Sequence, residues 1–139
     1  MDSCRVLLVD DEVGFLETLV KRLAKRNVDA EAVHSGRDAL VQVEDRPPDV
    51  VVLDVKMPGM DGLATLREIK KRRPLVEVIM LTGHADVDVA IEGMEQGAFD
   101  YLMKPCEIDE LMYKIQDARE KKAIQEAKIS QVGVTNRRE

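Results

Sequence analysis

The stretch VLLVDDE at residues 6–12 is the most informative part of this chain, because an apolar, strand-like run passes directly into acidic residues. A second run, VVVL at residues 50–53, leads into Asp54 in the same way. Carboxylates repel one another, so several of them gathered at strand ends indicate that a cation belongs among them. If the two strands are neighbours, the chain has a metal site with a candidate nucleophilic aspartate inside it.

Apolar runs alternate with helical patterns five times along the chain. Ser35 and Asp86 are expected to cap the second and fourth helices, and Gly97 to end the fourth. This alternation predicts an α/β fold of the flavodoxin-like type, with a five-stranded parallel sheet of order 2-1-3-4-5, doubly wound with five helices. We expect strands at about residues 4–9, 29–33, 50–53, 76–81 and 99–103.

One edge of the predicted sheet collects the polar residues that follow the strands. In open sheets of this order, ligands bind beyond the carboxyl ends of strands one and three, where Asp10, Asp11 and Asp54 stand. Thr82 and Lys104 end the fourth and fifth strands on the same edge. Each of these residues alone has an ordinary explanation as a helix cap, a strand end or a surface charge. Their shared position favours a single site.

The chemistry of such an edge is that of phosphoryl transfer. Mg²⁺, or Mn²⁺ in its place, prefers oxygen ligands and would bridge the three aspartates. Asp54 would attack a phosphorus atom and form an acyl phosphate. Thr82 and Lys104 would hold the phosphoryl oxygens by hydrogen bonds.

Length and composition describe an ordinary single domain. The chain has 139 residues, 45% hydrophobic and 35% charged, with a net charge of −6. The acidic balance argues against direct binding of nucleic acid. No apolar run approaches a membrane span, and the N-terminus lacks the features of a signal peptide, so we expect a cytoplasmic protein without membrane insertion.

Four motifs together make the chain closely similar to the receiver domain of two-component response regulators. The likeness covers about residues 5–121, and we expect a receiver domain at 1–122 followed by a helical extension or disordered tail at 123–139. The motifs are VDDE at 9–12, LDVKMPGMDG at 53–62, LTGH at 81–84 and GAFDYLMKP at 97–105.

The resemblance implies a role for each residue of the acidic edge. Asp54 would be the phosphoacceptor, and Lys104 would pair with the phosphoryl group. Asp11 would bind Mg²⁺ directly, Asp10 mostly through water, and Lys56 through its backbone carbonyl. The Lys104–Pro105 peptide bond is expected to be cis.

The resemblance also implies a switch. Thr82 would move toward the phosphoryl group and Tyr101 would follow it inward, which changes the face formed by the fourth helix, fifth strand and last helix. Lys56 and His84 flank the site, and one hypothesis is that they set the lifetime of the acyl phosphate. For His84, an exposed loop position is the ordinary alternative.

The function expected from these residues is a phosphorylation-activated signalling switch. Its partners would be a histidine kinase or phosphotransfer protein, and a downstream protein or output domain bound through the switch face. The chain would be no enzyme beyond its own phosphorylation and dephosphorylation. Two alternatives are a metal-dependent phosphohydrolase with an aspartyl nucleophile and a receiver-like binding module that works without phosphorylation. The hydrolase usually needs a second acid two residues beyond its nucleophile, where this chain has Lys56.

Overall fold

The computed structural model describes residues 4–57, 59–83 and 86–138 of the chain. Five strands alternate with five helices within these ranges. In chain order they are β1 (Cys4–Val9), α1 (Val13–Ala24), β2 (Val28–Val33), α2 (Gly36–Asp45), β3 (Val50–Asp54), α3 (Gly62–Arg72), β4 (Glu77–Thr82), α4 (Val87–Glu95), β5 (Asp100–Met103) and α5 (Ile108–Arg138).

The strands form one parallel sheet in the order β2-β1-β3-β4-β5. The predicted fold class and strand order are therefore confirmed, and the predicted strand boundaries agree to within about one residue. β1 and β3 are direct neighbours, with Val9 opposite Leu53. This register places the residues that follow both strands at one edge of the sheet.

Each face of the sheet carries its own apolar layer, because successive side chains of a strand point to opposite faces. Val6 and Leu8 of β1 pack on the side of α1 and α5, where Leu111 is also buried. Leu7 and Val9 pack on the side of α2 and α3. β3 and β4 are buried along their whole length, as expected for central parallel strands covered on both faces.

Two of the three predicted helix caps are confirmed. The Ser35 hydroxyl accepts a hydrogen bond of 3.1 Å from the Asp38 N–H at the start of α2. Gly97 follows α4 with a positive φ of 105°. The cap predicted at Asp86 is wrong: the residue holds the N-cap position of α4, but its side chain makes no capping hydrogen bond. Its carboxylate instead lies 3.4 Å from the Lys56 ammonium of the β3–α3 loop.

α4 lies close against β4 because Gly93 has no side chain. A Cβ at this position would lie 2.2 Å from the Met80 sulfur, which is fully buried in β4. Any larger residue would therefore force either the methionine or the helix to move. Gly93 thus fixes the distance between α4 and the strand that ends in Thr82.

α5 is 31 residues long and continues well past the sheet. Leu111, Ile115 and Ala118 are buried against the sheet. Two ion pairs then fix the helix at the amino edge of the sheet, from Lys121 to Glu77 at 2.8 Å and from Lys122 to Asp49 at 3.4 Å. The backbone of residues 123–138 remains helical, and the domain boundary at residue 122 stays a prediction.

The Lys104–Pro105 peptide bond is cis. Within the described residues, no helix is both long and apolar enough to cross a membrane.

Candidate functional site

Three carboxylates meet at the carboxyl edge of the sheet. Asp10 follows β1, Asp54 ends β3, and Asp11 lies in the β1–α1 loop. One oxygen of each lies within 4.8 Å of the others. Asp10 and Asp54 are buried, at 0% and 6% exposure, whereas Asp11 is exposed to solvent. The structure thus brings together the three aspartates of the predicted metal site, with one of them open to the outside.

Backbone N–H groups hold the two buried carboxylates in place. Asp10 Oδ1 accepts from the Glu12 N–H at 3.0 Å, and Asp54 Oδ1 accepts from the Lys56 N–H at 3.2 Å. Both donors lie two residues after their acceptor, a local turn pattern that fixes an aspartate side chain against its own loop. The remaining oxygens of the two carboxylates face each other across Lys104.

Lys104 places a positive charge between the two buried aspartates. Its Nζ lies 2.7 Å from Asp10 Oδ2 and 3.6 Å from Asp54 Oδ2. Burial alone would lower the pKa of Lys104, but the hydrogen bond to Asp10 and the nearby negative charges outweigh it and raise the pKa above its ordinary value. The ammonium also lies 4.9 Å from the centre of the Phe15 ring in α1, within cation–π distance. Lys104 is therefore firmly charged and held on two sides.

The pKa of Asp54 is raised from 3.8 to about 6. The main cause is burial of the carboxylate, and the negative charge of Asp10 adds to it. The Lys56 N–H and the Lys104 charge act in the opposite direction but do not cancel these effects. A carboxylate in this condition gains stability from any additional positive charge placed beside it.

The donor set fits a hard divalent cation. All three side chains offer oxygen, which is what Mg²⁺ and Mn²⁺ prefer. Lys104 compensates only part of the negative charge of the cluster, and the exposed Asp11 leaves the site reachable from solvent. The residues present therefore match the cation that the sequence predicted.

Thr82 lies next to this cluster at the end of β4. It is fully buried, and its hydroxyl donates a hydrogen bond of 3.1 Å to the Gly83 carbonyl. The Thr82 carbonyl accepts a bond of 2.7 Å from the Lys104 N–H. The backbones of Thr82 and Lys104 are thus joined directly, so displacement of one would be felt by the other.

Lys56 connects the β3–α3 loop to the start of α4. Its side chain is 75% exposed, whereas that of its ion-pair partner Asp86 is 14% exposed. The pair borders a groove of about 230 Å³ that Met57 and Val89 also line. Lys56 therefore contacts the Asp54 carboxylate through its backbone N–H and the start of α4 through its side chain.

The predicted switch residue Tyr101 lies on β5, directly opposite Met80 of β4. It is 37% exposed, and α4 presents Val87, Ile91 and Met94 to solvent at helical spacing. We refer to these four exposed apolar residues together as the α4–β5 strip. His84, named from the sequence as a residue that tunes lifetime, lies outside the described residues.

Two contacts of the site were not anticipated from the sequence. Phe15 lies against Lys104, and His34 contacts the Asp10 backbone with its ring Nδ1, 3.1 Å from the carbonyl oxygen. Phe15 reads as one more apolar residue of α1, and His34 as a polar residue between β2 and α2. Nothing in the local pattern marks either residue, although the expected β1–β2 pairing places His34 beside Asp10.

Comparison with known proteins identifies the family. The model of the response regulator receiver domain matches residues 6–116, most of the chain. The chain belongs to the response regulator receiver domain family. It is similar to the DNA-binding transcriptional regulator NtrC of Salmonella typhimurium, with 41% identity over 113 residues, which cover 81% of this chain and 24% of NtrC. The receiver domain thus spans about a quarter of this relative.

Solved receiver structures share the architecture. A response regulator receiver domain from Clostridium thermocellum is 36% identical, with a TM-score of 0.84 over 88% of this chain and 98% of that one. The receiver domain of NtrX from Brucella abortus is 34% identical, with a TM-score of 0.79 over 83% of this chain and 98% of that one. The chain is therefore a two-component signalling module of the kind found in NtrC-like regulators.

Proposed function

We propose that this receiver domain accepts a phosphoryl group on Asp54 from a phosphohistidine of a kinase or phosphotransfer protein. The observation that carries the proposal is the position of the buried Asp54 carboxylate, which lies within 4.8 Å of Asp10 and Asp11 and 3.6 Å from Lys104. The proposed output is a change in the surface formed by α4, β5 and α5, read by a downstream protein or an attached output domain.

Asp54 would act as the nucleophile. A carboxylate oxygen forms a bond to phosphorus, the bond from phosphorus to the donor imidazole breaks, and the imidazole leaves with the electron pair and takes up a proton. Asp54 must be ionised to attack, and a pKa of about 6 leaves most of it ionised at neutral pH. The local backbone bond from the Lys56 N–H to Oδ1 leaves Oδ2 available for the attack.

Asp10, Asp11 and Asp54 would hold Mg²⁺ or Mn²⁺ with their side chains, together with the backbone carbonyl of Lys56. When bound, the cation would supply positive charge against the phosphoryl oxygens. The exposed Asp11 would be the first of these ligands to meet the ion. Lys104, now bonded to Asp10, would pair with a phosphoryl oxygen once the group is on Asp54.

The switch would begin at Thr82. A phosphoryl group adds about 1.5 to 2 negative charges and three acceptor oxygens beside Asp54. The Thr82 hydroxyl would then exchange the Gly83 carbonyl for a phosphoryl oxygen. Such a move vacates space behind β4 that Tyr101 fills by turning inward, which reshapes the α4–β5 strip where a partner would bind.

Lys56 would contribute to the lifetime of the acyl phosphate. Its ammonium already lies at the mouth of the site, tied to Asp86. If the side chain hinders the approach of water to the phosphorus atom, Lys56→Ala will change the rate of dephosphorylation more than the rate of labelling. His84 remains part of the same hypothesis.

Intact-mass measurement after incubation with acetyl phosphate and Mg²⁺ tests the proposal. The parent chain should gain the mass of one phosphoryl group, EDTA should suppress the gain, and Asp54→Asn should show none. Asp29→Asn, an exposed change on β2, is the matched control and should label like the parent. Labelling of Asp54→Asn to the parent level would exclude Asp54 as the phosphoacceptor.

A further inference from the structure

His34 contacts the backbone of the acidic cluster rather than its carboxylates. Its Nδ1 lies 3.1 Å from the carbonyl oxygen of Asp10 in a partly buried contact, although the residue as a whole is exposed. A carbonyl oxygen accepts hydrogen bonds and donates none, so the contact requires the proton on Nδ1. None of the four receiver motifs at 9–12, 53–62, 81–84 and 97–105 includes this residue.

The His34 ring bonds to the Asp10 carbonyl just beyond the last backbone pair of the β1–β2 ladder. The pairing of β1 with β2 runs to Val9 opposite Val33, and the Asp10 N–H still donates to the Val33 carbonyl at 3.2 Å. A continued parallel ladder would bring the Ser35 N–H to the Asp10 carbonyl. Ser35 instead caps α2, and among the described residues the His34 ring is what reaches this oxygen.

The bond from His34 holds the peptide unit that joins Asp10 to Asp11, two of the three aspartates of the proposed cation site. Its carbonyl belongs to Asp10 and its N–H to Asp11, so displacement of the unit would carry the Cα atoms and side chains of both residues with it. The Asp10 carboxylate is already fixed by the Glu12 N–H and by Lys104. The bond from His34 adds a restraint on the backbone itself, which the carboxylate contacts do not provide.

His34 lines a groove of about 410 Å³ between α1 and β2, beside Val13, Leu16 and Ala32. A donor placed in this pocket can act on the β1–α1 loop without contact with the cation.

We infer that His34 is a positioning residue for the divalent-cation site, which holds Asp10 and Asp11 ready for the ion through the Asp10 carbonyl. The inference rests on the cation site proposed above. It distinguishes His34 from the ligands, because the oxygen cluster consists of the three aspartates alone within the described residues. Loss of the donor should therefore weaken cation binding without removing a ligand.

Titration of the ¹⁵N-labelled protein with MgCl₂, followed through the amide signals of Glu12 and Val55, tests the inference. His34→Phe and His34→Leu keep an apolar filling but lack the donor, and each should raise the Kd for Mg²⁺ by about threefold to tenfold, the effect of one hydrogen bond. His34→Asn places an N–H near the position of Nδ1 and should keep the Kd within about twofold of the parent.

The outcomes distinguish failure of the cation site from failure of the role of His34. If the parent chain itself shows no Mg²⁺ binding, the proposed cation site fails. If the parent binds and the Phe and Leu variants bind equally well, His34 has no positioning role. A role in stability alone would lower the melting temperature of these variants but leave the Kd of the folded protein unchanged. If one of the two apolar variants does not fold, the other still decides the result against the Asn variant.

Discussion

Lys104 Nζ lies 2.7 Å from Asp10 Oδ2, so the ammonium is bonded to the neighbour of the proposed phosphoacceptor more closely than to Asp54 itself, at 3.6 Å. Asp10 has no exposed surface. Its charge therefore depends on this lysine and on the Glu12 N–H for compensation. The same lysine would have to redirect toward a phosphoryl oxygen, which would leave Asp10 to a bound cation.

Lys104→Gln should destabilise the chain in the absence of Mg²⁺. Removal of Lys104 leaves the Asp10 charge without its ion-pair partner. Because the Lys104 side chain is still 23% exposed, we expect a loss in the free energy of unfolding of about 1–3 kcal/mol, as for a buried group left unsatisfied. Mg²⁺ should recover more stability in this variant than in the parent. Lys56→Gln, which removes a well-exposed ammonium from the same edge, is the control and should change stability by less than about 1 kcal/mol. Urea unfolding with and without MgCl₂ measures both, and equal losses in the two variants would contradict the argument.

Asp54→Asn should stabilise the metal-free chain at neutral pH. The folded state holds the Asp54 pKa above its ordinary value of 3.8, at about 6, so the folded state binds this proton more tightly than the unfolded state does. Ionisation of Asp54 therefore lowers the stability of the parent as pH rises from about 3.8 through about 6. The free energy of unfolding of Asp54→Asn should exceed that of the parent by on the order of 2–3 kcal/mol above pH 7, and the two values should converge toward pH 4.

Chemical unfolding of both proteins in EDTA across this pH range provides the measurement. The assignment of the raised pKa to Asp54 requires the two stability curves to converge at low pH. Curves that stay parallel from pH 4 to pH 8 would show that the difference has another origin.

Beryllofluoride with Mg²⁺ should mimic the phosphoryl group and reveal the switch surface. Amide chemical shifts are expected to change at 54–59, at 82–97 and at 101–113, with little effect on α1. Thr82→Ala should reduce the changes in α4 and β5 but keep those beside Asp54, because the hydroxyl is the proposed link between the two. Shifts restricted to the immediate site in the parent, or found chiefly in α1, would exclude this surface.

Gly93→Ala tests how closely α4 must approach β4. The new methyl group would meet the Met80 sulfur, and the methionine is flexible, so we expect a loss of about 1–2 kcal/mol in the free energy of unfolding. Gly14→Ala in α1 is the matched control, since a Cβ there meets nothing within 4 Å. It should leave stability unchanged or raise it by up to about 1 kcal/mol. If both substitutions have the same effect, the close contact of Gly93 does not limit α4.

The shared edge of the parallel strands and the local helix cap could be predicted from the sequence. The carboxyl ends of parallel strands share an edge, so the meeting of Asp10, Asp11 and Asp54 follows from the strand order alone. The Ser35 cap depends on residues three positions apart and was predicted correctly. Asp86 likewise precedes a helix, but its carboxylate forms an ion pair with Lys56, thirty residues earlier, and does not cap α4.

The remaining site contacts join residues far apart in the chain. Lys104 and Asp10 are separated by 94 residues, and His34 and Asp10 by 24. The periodicity of the sequence does not indicate that Lys104 pairs with Asp10 or that the His34 ring takes the place of a backbone donor. α5 posed the opposite difficulty: its apolar pattern fades near Lys122, yet residues such as Ala123, Gln125 and Glu126 favour helix by themselves.

The ion pairs of Lys121 with Glu77 and of Lys122 with Asp49 attach α5 to the amino edge of the sheet, so a tilt of the helix would pivot about this point. From Lys122 to Arg138 the helix covers roughly 24 Å at its usual rise per residue. Over that length, a tilt of roughly 10° about the ion pairs would displace the C-terminal end of the helix by about 4 Å. A movement too small to disturb the packed sheet would thus become a displacement nearly as large as a helical turn. Such a geometry would convert a slight reorientation of α5 against the sheet into a larger displacement of its C-terminal end, on the side opposite to the aspartates.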